Sequence, residues 1–158
     1  MRVLAIDPGY QRLGIAVLEK LLKQKETLIF SSCMTTERNM PHANRLARVA
    51  SGIRSLIETH KPEALAIEKL FLATNQKTAM AVAEARGAIL AEAARAGLAV
   101  YEYTPLQIKM AVTGYGRSDK RQITEMVKRL IAVPPGRRLD DEYDAIAVGL
   151  TCLASERL

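Results

Sequence analysis

The chain has 158 residues, with 23 Lys and Arg against 17 Asp and Glu, a formal charge of +6, and 4% aromatic residues. That length suits one compact domain, residues 1–158, with a full core; no apolar run approaches the roughly 20 residues needed to cross a bilayer, and the N-terminus shows no signal-peptide pattern. Cys33 and Cys152 lack CxxC spacing and read as reduced, buried small hydrophobes of a cytoplasmic protein, and His42 and His60 are too far apart to suggest a zinc site.

The elements follow from hydrophobic period. Val3 to Asp7 is a buried strand closed by a Pro-Gly turn, Leu13 to Glu19 a second strand and Thr27 to Met34 a third. Their short connections make them antiparallel neighbours. From Pro41 to Thr59 the period becomes helical, with Leu46, Val49, Ile53, Leu56 and Ile57 on one face. Leu65 to Glu68 is a short strand reached through that helix, hence a parallel neighbour of an earlier strand. Gln76 to Ala96 is a long helix whose Ala79, Ala83, Gly87 and Ala91 recur every four positions and permit close helix packing.

Leu98 to Tyr103 is strand-like, and Thr104-Pro105 starts a helix that stops at Thr113-Gly114. Ser118 is expected to cap the next, which runs to about Ala132 before Pro134-Pro135-Gly136. The last begins near Asp140, taken as its cap, and runs to about Glu156. The order βββαβαβααα predicts an α/β domain with a mixed five-stranded sheet, its first three strands antiparallel, flanked by helices.

Asp7 and Glu68 end two apolar strands, at the carboxyl ends where sites of such sheets collect. Asp141 and Asp144 are three apart at the start of an apolar helix and share a face; Glu142 lies on another. Each acid has an ordinary alternative: an Asx-type turn for Asp7, a helix cap for Asp141, a helix-dipole partner for Asp144. Taken together, four carboxylates at these positions would repel one another unless cations fill the cluster. Oxygen ligands select hard ions, so Mg²⁺ or Mn²⁺ is expected. Two such ions about 3.5–4 Å apart can activate water and stabilise a leaving oxygen in phosphodiester cleavage.

The positive charge concentrates in Gly116-Arg117-Ser118-Asp119-Lys120-Arg121 and in Gly136-Arg137-Arg138. Lys109 and Lys120 flank the turn Thr113-Gly114-Tyr115-Gly116, which is expected to offer backbone N–H groups to phosphate. Phe71, just past Glu68, is placed to stack on bases or to wedge between them, with ordinary core packing as the alternative.

Five segments carry a resemblance: Ile6-Asp7-Pro8-Gly9; Ile67-Glu68-Lys69-Leu70-Phe71; Glu84-Ala85-Arg86-Gly87; Ala111 through Lys120; and Asp141 through Ala147. In this order and at these separations the chain resembles the RuvC family of bacterial Holliday-junction resolvases over essentially its whole length. The resemblance implies an RNase H-like fold, a homodimer, and magnesium-dependent paired cleavage of four-way junction DNA in recombination and repair. It implies Asp7, Glu68, Asp141 and Asp144 as catalytic metal ligands, with Lys120 catalytic as well. Phe71, Lys109, Arg117 and Lys120 would contact DNA, the helix around Ala83 to Ala94 would form the dimer, and the RuvA–RuvB branch-migration complex would be a partner. An actin-like ATP-using protein and a catalytically silent junction-binding module are the competing readings.

Overall fold

The computed structural model describes residues 1–9, 11–70, 76–136 and 138–156, with the side chains of Gln76 and Lys77 set aside. Phe71, Arg137 and Tyr10 therefore lie outside the described residues. The elements are β1 (Arg2–Asp7), β2 (Arg12–Glu19), β3 (Thr27–Thr35), α1 (His42–His60), β4 (Ala64–Glu68), α2 (Gln76–Arg95), β5 (Ala99–Tyr103), α3 (Pro105–Thr113), α4 (Lys120–Leu130) and α5 (Asp140–Ser155). The sheet runs β3-β2-β1-β4-β5, with β1–β2 and β2–β3 antiparallel and β1–β4 and β4–β5 parallel. This is the mixed α/β sheet predicted from the sequence.

Two cores sandwich the sheet. Val3, Ala5, Ala16, Leu18, Ala64 and Ala66 point to one face, where they meet Ala145, Ile146, Val148 and Leu150 of α5 and the inner sides of α3 and α4. Leu4, Ile6, Ile15, Val17, Leu65 and Ile67 point to the other, under Val49 and Ile53 of α1 and Ile89 and Ala93 of α2. A strand covered on both faces must be apolar at successive positions, which is why β1 and β4 read as unbroken apolar runs. Among the described residues no helix is long and apolar enough to cross a membrane.

Helix α5 lies close against the sheet because one glycine on β2 and one on the helix itself remove side chains between them. A Cβ on Gly14 would fall 2.0 Å from the Asp141 carbonyl oxygen, and one on Gly149 would fall 2.4 Å from Leu18 Cδ1 and 3.1 Å from Ala5 Cβ. Thr104 caps α3 as expected, its side chain accepting from Gln107 N–H while Gln107 reaches back to Thr104 N–H.

Two cap expectations need correction. The cap of α4 is Asp119, whose carboxylate accepts from Gln122 N–H at 2.8 Å, while the buried Ser118 joins Thr113 Oγ1 at 2.6 Å. Asp119 prevails because Gln122 stands three residues on and completes the reciprocal pair at 2.9 Å. At α5 the cap position is Leu139, with Asp140 already helical; the Glu142 side chain accepts weakly from Leu139 N–H at 3.4 Å. Cys152 is buried as expected, but Cys33 is only half-buried.

Candidate active site

The two strand-end acids meet through simple parity. Ile6 pairs with Ile67 in the parallel β1–β4 ladder, so Asp7 and Glu68 each stand one residue beyond that pair. Side chains alternate along a strand. Asp7 therefore shares the face of Val3 and Ala5, and Glu68 that of Ala64 and Ala66, which is the face α5 covers. The acids of α5 are thereby brought over the strand ends.

A cleft of about 290 Å³ opens there, lined by Asp7, Glu68, Asp144, Lys109, Lys120 and Ser118 among others. Lys120 Nζ lies 3.0 Å from Asp144 Oδ2. Asp141 stands to one side of this lining. Arg12 Nε lies 3.2 Å from its Oδ2, an oxygen that is buried and makes no hydrogen bond. Of the residues expected in the site, the structure brings Asp7, Glu68, Asp144, Lys109 and Lys120 into one cleft and places Asp141 beside it. Arg117 is exposed on the α3–α4 connection, next to Ser118 of the lining but not part of it.

Charge within the cleft is costly. Burial, reinforced by Glu68, Asp144 and Asp141, pushes Asp7 up to about 8. Burial, reinforced by Asp144, pushes Glu68 up to about 7, with Lys120 and Lys109 opposing. Asp144 is also raised by burial, although Lys120 pulls the other way. Lys120 in turn is raised by its hydrogen bond to Asp144. Carboxyls that burial and neighbouring anions push towards neutrality are relieved by a cation.

The donor set fits a hard divalent ion: four carboxylates and, in Asp141 Oδ2, a buried oxygen without a hydrogen bond. Among the described residues, no three His, Cys, Asp or Glu side chains are grouped as ligands of one ion. Lys120 and Arg12 are each paired with an acid of α5.

The glycine turn differs from expectation. Gly114 N–H donates to Met110 O, Tyr115 N–H to Thr113 Oγ1 and Ser118 N–H to Tyr115 O, so these three donors are spent within the loop. The turn joins α3 and α4, each of which brings a lysine, Lys109 and Lys120, to the cleft lining.

Three supporting contacts escaped the sequence reading. Arg12 pairs with Asp141 at 3.2 Å. Arg86 donates to the backbone oxygen of Glu68 at 3.3 Å and pairs with Glu102, tying α2 to the end of β4. Glu142, buried, accepts from Ser31 Oγ at 2.8 Å and pairs with Arg138 at 3.7 Å, fastening the first turn of α5 to β3. Arg86 lies in a quoted motif, which was a usable signal. The Arg12–Asp141 and Ser31–Glu142 contacts span more than a hundred residues, and local pattern carries no trace of them.

A five-stranded 3-2-1-4-5 sheet bearing acids on adjoining strand ends beneath an acidic helix defines an α/β domain of the RNase H-like class. The family model for the crossover junction endodeoxyribonuclease RuvC matches residues 3–152. The RuvC of Moorella thermoacetica is 44% identical over 155 residues, 98% of this chain and 92% of that protein, and that of Brevibacillus brevis is 42% identical over 96% and 90%. Among solved structures, Thermus thermophilus RuvC in complex with a Holliday junction substrate has TM-score 0.89 at 31% identity, covering 97% of this chain and 93% of that one. The chain belongs to the RuvC family.

Proposed function

We propose that this chain is a nuclease that resolves four-way DNA junctions by paired phosphodiester cleavage. The observation that carries the reading is the joining of Asp7, Glu68 and Asp144 with Lys109 and Lys120 in one cleft, on a fold that matches a junction-bound relative. Neither the actin-like ATP-using reading nor the silent binding module finds support in a match spanning residues 3–152.

Asp7, Glu68, Asp141 and Asp144 would hold divalent cations, with Mg²⁺ the expected ion, two per site, and Mn²⁺ a substitute. Bound there, the ions would activate water and stabilise the leaving oxygen. Lys120 neutralises Asp144 in the free protein and, as a mobile point charge, can transfer to the scissile phosphate when DNA enters. Lys109 at the cleft wall and Arg117 on the exposed loop add backbone contacts that fix DNA register without reading sequence. Phe71 is assigned to unstacked bases at the crossover.

Paired cleavage calls for two sites related by a two-fold axis, hence a homodimer. The outward side of α2 supports this: Ala83, Gly87 and Ala91 are exposed beside Met80, itself 73% exposed. We also infer that residues 1–158 fold as one nuclease domain acting in the cytoplasm with the RuvA–RuvB complex as partner.

The test is a nicking assay on a synthetic four-way junction and a linear duplex, with Mg²⁺ or with EDTA. Symmetric nicks on the junction in Mg²⁺ alone are expected. Equal cutting of linear duplex would replace a resolvase by a general nuclease.

A further inference from the structure

Asp141 is the acid that the cleft does not include, and its surroundings give it a second partner. Its Oδ2 is buried and receives no hydrogen bond, yet Arg12 Nε sits 3.2 Å away. The contact is thus ionic with the N–H aimed elsewhere. The Arg12 side chain is 55% exposed and that of Asp141 17% exposed. A solvated cation loosely aimed at a mostly buried anion stabilises little and exchanges readily. Arg12 also opens β2, two residues before Gly14, the register partner of Asp7. The guanidinium thus reaches Asp141 from the strand that borders Asp7.

We propose that Arg12 is a positioning residue that competes with a divalent cation for Asp141. In the metal-free protein it holds the carboxylate in place, and it swings to solvent when the ion takes that oxygen. The guanidinium thereby sets the metal concentration at which the site fills. Lys120 makes the equivalent pair with Asp144, but it lines the cleft and is assigned to phosphate. Arg12 is the member of the two that can be changed without touching the reacting groups. The proposal rests on the assignment of Asp141 as a metal ligand.

The experiment measures Mn²⁺ binding by calorimetry and thermal unfolding in EDTA and in saturating Mn²⁺. It uses the full chain and Arg12→Gln, Arg12→Lys, Asp141→Asn and the Arg12→Gln/Asp141→Asn double variant. Arg12→Gln is expected to bind Mn²⁺ roughly two- to fivefold more tightly, the range a half-exposed ion pair supports. It should unfold at lower temperature in EDTA and at the original temperature in Mn²⁺, which also shows that it folds. Arg12→Lys should keep the original affinity, and Arg12→Gln should have no further effect once Asp141 is Asn. Unchanged or weaker Mn²⁺ binding by Arg12→Gln, with Asp141→Asn weakening it, overturns the competition and leaves the metal site standing. Unchanged binding by Asp141→Asn removes the ligand assignment and the competition with it.

Discussion

Lys120 Nζ, from the first residue of α4, lies 3.0 Å from Asp144 Oδ2 on α5, bridging two helices across the mouth of the acidic cleft. The lysine is 74% exposed and the aspartate 20% exposed, so the pair joins a solvated cation to a largely buried anion. Such a cation can leave for a phosphate at small cost. Lys120→Ala should reduce junction cleavage by roughly 10²-fold, as loss of one charge-stabilising donor does. It should also lower the salt slope of junction binding by about one. An unchanged slope would remove the phosphate contact.

Asp7→Asn deletes the most perturbed carboxyl in the cleft. Cleavage is expected to vanish to the limit of detection while junction binding persists. Because an amide carries no charge to desolvate, the variant should unfold later than the parent in EDTA at about pH 8, by on the order of 1 kcal/mol or more. A variant with full nuclease activity would exclude Asp7 from the metal site.

The pH dependence follows from the raised acids. Asp7 rises from 3.8 to about 8 and Glu68 from 4.5 to about 7 on folding. Across that window the folded protein keeps protons that the unfolded chain has released, so its stability falls as pH rises and is greatest below the unfolded values. Unfolding midpoints in EDTA should therefore decline from about pH 4 to about pH 8, and Mg²⁺, which favours the ionised acids, should flatten the decline. Equal slopes with and without Mg²⁺ would contradict cation binding by these groups.

Arg86 supports Glu68 through its backbone oxygen and is itself held by Glu102. Arg86→Ala should cost about 1–3 kcal/mol, the range for a partner lost from partly buried polar groups. A metal titration of cleavage should then reach half-maximum at several-fold higher Mg²⁺. Lost stability with an unchanged titration midpoint would confine Arg86 to a structural role.

The sheet and two of the four acids were legible because β1 and β4 are covered on both faces, which leaves an acid at the end of an apolar run conspicuous. Asp144 was legible from helical spacing. The pairing of Asp141 with Arg12 was not, since the two are 129 residues apart in sequence and meet only by tertiary contact. The α4 cap was readable: Asp119 with Gln122 is a capping pair, and Ser118 drew attention only as the neighbouring cap-forming residue. The loop's N–H groups were assigned to phosphate because Gly-rich turns often expose them; the Thr113 hydroxyl, which takes one of them here, is a side-chain effect that glycine spacing does not reveal. The proposed role of Phe71 remains a reading of sequence, outside the described residues.

Gly14 faces Asp7 across the β1–β2 ladder and lies beneath the Asp141 carbonyl, where one methyl group would come within 2.0 Å of the oxygen. The absent side chain acts as a spacer gauge between sheet and helix. The clearance is set by two backbones, neither of which has a rotamer with which to adjust. Residues lining the cleft can change in length and charge while the spacing of β2 from the first turn of α5 stays the same. Side-chain chemistry at the cleft and the distance from helix to sheet are thereby set by different parts of the chain and can drift independently.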